Sequence, residues 1–339
     1  MTKMIGFKQH GFSLEVEQMQ RFIVVVAVLL SLGLAQNQKI QVGLGYLPDV
    51  QFAPFYAGVV EGIYAKSGLD VEFQHGFSSE LYPLLAQGKL DFVVADAEDV
   101  ISLRAQGTPL KYVLAMYQSV PNALFSRAEK NIKTVRDLKG KTVGMPGLFG
   151  TSYTSLQAML RAAGLKETDI KIEQIGFTQA EAILTNRVDV AMGFVNNEPL
   201  LLGAKGVALN VIPAAPYNLS PGVGVISTDK VLENADLARK FVQATQDAMA
   251  FTLKQPRKAF EDSKKYVQNL SEDRFKVLQV SLKLYTSLYT RQNGLGFSNP
   301  QGWTSGLALL KGTGRVKTDL PATAFYTNEF LKRGAQAGK

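Results

Sequence analysis

The chain has 339 residues, with 37 Lys plus Arg against 29 Asp plus Glu and a formal net charge of +8. It has no cysteine and two histidines, His10 and His75. That excludes disulfides, thiolate chemistry and Cys-rich zinc or iron–sulfur sites, and leaves too little histidine for a His-based metal site or a hydrolase triad. The basic residues are scattered, whereas nucleic-acid binding wants them clustered on one face, so no nucleic-acid partner is expected.

Arg21 precedes an apolar run over 22–35 that ends in Gly33-Leu34-Ala35, with small residues where a signal peptidase needs them. Residues 1–35 therefore read as a cleavable signal peptide, with a mature start near Gln36 and Met19 as an alternative first residue. The run is short for a membrane span, and no Cys follows it to carry a lipid. The expected location is periplasmic or secreted.

Strands and helices then alternate. Lys39 to Tyr46, Leu69 to Gln74, Leu90 to Ala95 and Leu110 to Met116 read as strands. Phe52 to Tyr64, Ser79 to Gln87 and Val100 to Gln106 read as helices between them. Continuous apolar strands separated by helices predict parallel βαβ units. Pro121 and Asn122 break the pattern. The same series then returns, with Thr142 to Met145 as a strand and Ser152 to Ala163 as a helix. QVGLGY at Gln41 matches TVGMPG at Thr142, and GLDVEFQHGF at Gly68 matches DIKIEQIGFT at Asp169. LDFVVADAED at Leu90 matches VDVAMGFVNNE at Val188, with Asp91 and Asp189 at equivalent places. Pro213, Pro216, Ser220, Pro221 and Gly222 mark a second break. A strand over Gly224 to Ser227, a long helix over Asn234 to Lys254 and a mostly helical remainder follow, interrupted by a Gly-rich stretch at Asn293 to Gly306.

A duplicated α/β unit implies an α/β protein of two similar lobes, with a ligand cleft and a hinge of two crossings. The expected boundaries are 36–120 plus 222–339 for the first lobe and 121–221 for the second. Open α/β sheets bind ligands beyond the carboxyl ends of their strands. Those ends nominate Asp49, Phe52, Phe55, Ser78, Asp96 and Tyr117 in the first lobe, and Phe149, Thr151, Tyr153, Asn196 and Glu198 in the second. Polar groups placed directly after buried strands need water or a partner, which favours Asp96, Asn196 and Glu198 as cleft residues. Phe52 and Phe55 also sit at helical spacing and fit a core. Ser78 and Thr151 also fit as helix caps. Pro146-Gly-Leu-Phe-Gly150 lacks the lysine of a phosphate loop. No G-x-S-x-G elbow or carboxylate pair appears, so no catalytic residue, metal site or cofactor is nominated. Aromatic surface with a few convergent amides and acids reads as a pocket for a small, flat, polar-edged ligand.

The block GYLPDVQFAPFYAGVVEGIYAKSGLDVEF, together with DLKGKTVGMPGLFGTSY and NNEP, resembles bacterial ABC-importer solute-binding proteins of the thiamine-pyrimidine-precursor type. FAPFYAG, PGLFGTSY, GFTQ and FVNNEP are most similar to the riboflavin-binding branch. The resemblance implies a type II periplasmic-binding-protein fold and a monomer that delivers riboflavin or a pyrimidine-type ligand to an ABC permease in the membrane. Sulfonates and related nitrogen compounds are the ligands of other branches. The family also holds fungal thiamine pyrimidine synthase, an enzyme with a Cys-rich iron motif and an active-site His. A ligand-sensing role is not separated from import by the residues.

Overall fold

The computed structural model describes Met1 and residues 37–332. The leader expected at 1–35 lies outside the described residues. No helix among the described residues is long and apolar enough to cross a membrane.

Ten strands form two five-stranded sheets of the same plan. The first has the order β2-β1-β3-β10-β4 and the second β7-β6-β8-β5-β9. The first is made of β1 (Gln38–Leu44), β2 (Leu69–His75), β3 (Phe92–Asp96), β4 (Leu110–Ala115) and β10 (Val223–Thr228). The second holds β5 (Asn122–Arg127), β6 (Thr142–Met145), β7 (Lys171–Gln174), β8 (Val190–Phe194) and β9 (Leu209–Pro213). The duplication is therefore structural, strand for strand.

The alternation of side chains explains why the central strands β3 and β8 are apolar along their length. Phe92 and Val94 of β3 face one core cluster, with the long helix Ala235–Lys254, while Val93 and Ala95 face another, with Trp303. In β8, Val190 and Met192 point to one side and Ala191 to the other. Helices cover both faces at the centre of each sheet, whereas the edge strands β2, β7 and β9 keep exposed residues. The two matched aspartates do the same task twice. The Asp91 carboxylate accepts the backbone N–H of Gln41 at 2.8 Å, and that of Asp189 accepts the N–H of Thr142 at 3.0 Å. Each pins the start of its lobe's third strand to the first.

The expected parallel βαβ units are present, in β1–β3, β6–β7 and β6–β8, and each sheet adds one antiparallel strand. β10 runs antiparallel between β3 and β4, and β5 runs antiparallel between β8 and β9. Both are the first strand after a crossing between sheets, so the chain enters each sheet from the cleft side and in the opposite direction. Pro121-Asn122, read as a break, leads straight into β5, whose buried NALFSR gives little alternation. The Phe52 to Tyr64 helix is split: a 3₁₀ turn at Val50–Phe52 is followed by helices Ala53–Val60 and Ile63–Lys66, with Gly62 left-handed between them (φ 65°). The Gly-rich stretch contains the start of the helix Pro300–Gly312, capped by the Asn299 side chain on the N–H of Gln301.

The two crossings press against each other. Met116 and Tyr117 both donate backbone N–H to the carbonyl of Val223, at 3.1 and 2.8 Å. A Cβ on Gly222 would lie 2.5 Å from the carbonyl oxygen of Ser119. A Cβ on Gly224 would lie 2.1 Å from the Tyr112 hydroxyl oxygen and 2.2 Å from the Leu114 carbonyl oxygen. Gly224→Ala is therefore expected to cost about 1–3 kcal/mol by overpacking, seen as a lower melting temperature. An unchanged melting temperature would mean that β10 is not held so tightly.

Candidate functional site

The carboxyl ends of both sheets face one cleft with about 830 Å³ of free space, counted with its open mouth. Tyr46 after β1, Phe77 and Ser78 after β2, Asp96 at the end of β3 and Tyr117 after β4 line it from the first lobe. Phe149 after β6, Phe177 and Gln179 after β7, and Asn197 and Glu198 after β8 line it from the second.

Its centre is aromatic. Phe77 and Phe177 come from opposite lobes and stack with ring centroids 4.1 Å apart and planes 19° from parallel. Tyr46 meets Phe177 edge-on at 4.5 Å, and Phe149 meets Phe77 edge-on at 6.2 Å. The stacked pair is the repeat made visible: Gly76-Phe77 follows β2 as Gly176-Phe177 follows β7.

Most of the polar groups hold the lobes together rather than point into free space. The Asp96 carboxylate accepts the backbone N–H of Thr151 at 2.9 Å, across the cleft, at the start of the helix Gly150–Ala162. A carboxylate suits a helix N-terminus, where free N–H groups converge. Gly150 is required there: its φ is 60°, and a Cβ would lie 2.5 Å from the same carboxylate oxygen. Glu98 accepts from Asn218 Nδ2 at 2.7 Å, and that nitrogen also reaches Ser155 Oγ at 3.0 Å. On the opposite side, Arg274 donates to Asp49 at 3.0 Å and to Asn197 Oδ1 at 2.8 Å, and Asn197 donates to Gln51 Oε1 at 3.1 Å.

Glu198 is buried at the start of its helix and accepts the backbone N–H of Phe194 at 2.9 Å. Burial pushes its carboxyl up to about 7, with Asp49 adding to the effect and the Phe194 N–H opposing it. Burial also raises Asp49, despite the attraction of Arg274, and raises Asp96 and Glu98.

The structure brings Phe52, Ser78, Asp96, Tyr117, Phe149 and Glu198 of the expected residues together around the cleft. It places the others elsewhere. Phe55 is fully buried and packs edge-on against Phe73 in the core, because it lies on the sheet side of its helix. Asp49 caps the turn Val50–Phe52 and pairs with Arg274. Thr151 contributes its backbone N–H, with a buried side chain. Tyr153 turns away and donates to Glu167 at 2.9 Å, with the Arg315 guanidinium 5.0 Å from its ring. Asn196 is fully buried behind the cleft, donating to Tyr117 Oη at 3.2 Å and Ser281 Oγ at 2.7 Å. Its neighbour Asn197 takes the cleft position.

Tyr46, Gln51, Phe77, Phe177, Gln179 and Asn197 line the cleft and were not nominated. The repeated Gly-Phe was the signal for Phe77 and Phe177. Gln179 is 3% exposed and its Oε1 has no partner among the described residues, so it keeps an acceptor for a guest.

A family model described as NMT1/THI5 like matches residues 49–259. The chain belongs to that family. It is 34% identical over 307 residues to riboflavin-binding protein RibY of Chloroflexus aurantiacus, covering 88% of this chain and 87% of the relative. It is 23% identical over 312 residues to the 4-amino-5-hydroxymethyl-2-methylpyrimidine phosphate synthase THI11 of Saccharomyces cerevisiae, covering 87% and 88%. The fold is that of the periplasmic binding proteins. The solved structure of the alkanesulfonate-binding protein SsuA from Xanthomonas axonopodis pv. citri aligns with a TM-score of 0.67 and 14% identity, over 89% of this chain and all of that one.

Two outcomes follow from this geometry. Asn196→Ala removes two buried hydrogen bonds and is expected to destabilise the empty protein by about 1–3 kcal/mol; an unchanged melting temperature with weakened ligand binding would return Asn196 to the cleft. Glu198 keeps its proton to about pH 7 in the folded protein but only to about 4.3 in the unfolded chain. The folded state binds more protons in that window, so this contribution to stability is complete below the unfolded value and is lost as pH rises through about 7. The melting temperature is therefore expected to fall between pH 5 and 8, and Glu198→Gln to flatten the fall. An equally steep fall in the variant would assign it to other groups.

Proposed function

We propose that this protein is the extracytoplasmic solute-binding component of an ABC importer. As a monomer, it captures a flat heteroaromatic nutrient by lobe closure and delivers it to a membrane permease. Riboflavin is the first candidate and a pyrimidine-type thiamine precursor the second. The observation that carries the reading is the Phe77–Phe177 stack across the cleft. Aromatic contacts settle at about 3.5–4.0 Å, so a flat ring between the two phenyl groups needs them about 7 Å apart. The lobes then have to part by about 3 Å from the 4.1 Å seen here, a small movement for two lobes joined by a paired crossing. Tyr46 and Phe149 close the sides, while Gln179 and Glu198 offer an amide and a carboxyl to a polar ring edge. The 34% identity to a riboflavin-binding protein supports the same class.

The sulfonate reading finds less support. Among the described residues lining the cleft, none is Lys or Arg, and Asp96 and Glu198 are both there. An anion would meet carboxyls without a compensating cation. The synthase reading also finds little. The resemblance ties that activity to a Cys-rich iron motif, and the chain has no cysteine. Both nitrogens of His75 are engaged, Nδ1 with the Tyr46 carbonyl at 2.9 Å and Nε2 with the Tyr56 hydroxyl at 3.1 Å.

Calorimetry of the mature protein against riboflavin, an aminopyrimidine and an alkanesulfonate tests the proposal. Riboflavin or the pyrimidine is expected to bind, and Phe77→Ala and Phe177→Ala each to weaken binding about tenfold, in line with about 1–1.5 kcal/mol per aromatic contact. Binding of the sulfonate alone, or unchanged affinity in both variants, would reject it.

A further inference from the structure

The repeat is broken at one residue of the cleft. Gly76-Phe77-Ser78-Ser79 after β2 answers Gly176-Phe177-Thr178-Gln179 after β7. The two phenylalanines stack on each other, but the residues two places further on differ. Ser79 is exposed and lies outside the cleft lining, whereas Gln179 is 3% exposed and belongs to it. The turn that carries Gln179 is held by its own bonds. Gly176 takes a left-handed φ of 58°, and Thr178 Oγ1 donates to the Ile175 carbonyl at 2.6 Å. The helix Gln179–Leu184 then starts with the Ala182 N–H on the Thr178 carbonyl at 2.8 Å. Phe177 and Gln179 thus share one locked turn, the first giving a ring face and the second an amide.

Other polar side chains around the ring site are already engaged. Asp96 accepts the Thr151 N–H, Tyr117 Oη accepts from Asn196, and Asn197 is bonded at both ends, to Arg274 and Gln51. Among the described residues lining the cleft, Gln179 has the one buried side-chain oxygen without a partner. A buried acceptor left unpaired is costly, so the glutamine is explained by a guest rather than by the fold. The group that meets a carbonyl oxygen has to be a donor. On the same lobe, Ser152 also lines the cleft; its Oγ accepts from Asn122 Nδ2 at 2.9 Å and has its own proton to give. We propose that Gln179 selects the ligand by its edge: the flat ring held between Phe77 and Phe177 carries an N–H on its rim, and Gln179 Oε1 accepts it. This rests on the ligand class proposed above and narrows it. A ring with acceptors alone, or one whose rim nitrogen is alkylated, leaves the Gln179 oxygen unpaired with the guest in place and binds less well. The imide N–H of riboflavin and the amino group of an aminopyrimidine both meet the requirement.

The test pairs each ring with its N-methylated counterpart on the mature protein: riboflavin with its imide-N-methyl derivative, and an aminopyrimidine with its dimethylamino derivative. Wild type is expected to prefer the N–H form about ten- to hundred-fold. Gln179→Leu removes the acceptor at similar size, and Gln179→Met does the same should the first variant fail to fold. Either is expected to remove most of that preference, while Gln179→Glu, which keeps an acceptor, retains it. Because the oxygen has no partner in the empty protein, Gln179→Leu is expected to melt no lower than wild type. If a ring binds wild type without preference for its N–H form, or the preference survives in a folded Leu or Met variant, the edge assignment is wrong while the ring site stands. If Gln179→Leu melts lower and keeps the preference, Gln179 serves the fold. If neither ring binds wild type, the ligand class falls and the edge assignment with it.

Discussion

Everything at the cleft depends on the paired crossing between the lobes. The chain passes between sheets twice, and the two passages pack backbone against backbone where Gly222 meets Tyr117 and Ser119. Contact this close leaves no room for side chains, so the crossings act as a double strap. Each strap then supplies an antiparallel strand, β5 to the second sheet and β10 to the first. The sheets are thereby held with their carboxyl ends facing each other. A cleft between strand ends is the consequence, and the ligand groups follow from it.

Around that strap the polar residues divide into two kinds. Asp96, Glu98, Arg274 and Asn196 spend hydrogen bonds on other parts of the chain, and all four sets tie one lobe to the other. Each is buried or half-buried, where an unpaired polar group is costly, and each has at least one partner, while Glu98 Oε2 and Asn196 Oδ1 have none among the described residues. These bonds hold the lobes in the spacing seen, with Phe77 on Phe177. Any guest that parts the two rings works against them. Closure and opening are then a contest between a small number of cross-cleft hydrogen bonds and the contacts the guest supplies.

The same arrangement explains why burial shifts the carboxyls near the cleft towards their neutral forms. Asp49, Glu98 and Glu198 are buried and Asp96 is partly buried, and among the described residues Arg274 is the cation that pairs with one of them. Burial without enough opposite charge favours the neutral acid. The Glu198 carboxyl, held near 7 beside amides, can both donate and accept, which suits the alternating edge of a heteroaromatic ring better than it suits an ion.

Much of this was legible in the chain itself. The repeat announced two lobes, because two copies of one hydrophobic pattern bury two copies of one core. Asp91 and Asp189 stood at matching places because each pins the same pair of strands. Apolar runs without alternation gave sheets covered on both faces. What the sequence did not decide is direction. Phe52 and Phe55 are three residues apart and both join the core, yet only Phe52 also lines the cleft. Asn196 and Asn197 are adjacent, and only the second reaches the cleft. Which of two neighbours faces a guest is set by the approach of the other lobe, a contact between residues 77 to 146 apart in the case of Asn196 and Asn197, and no local pattern carries that information. The β5 and β10 insertions were likewise hidden. A strand's partners and orientation come from the path of the chain through the crossing, which only the tertiary structure determines.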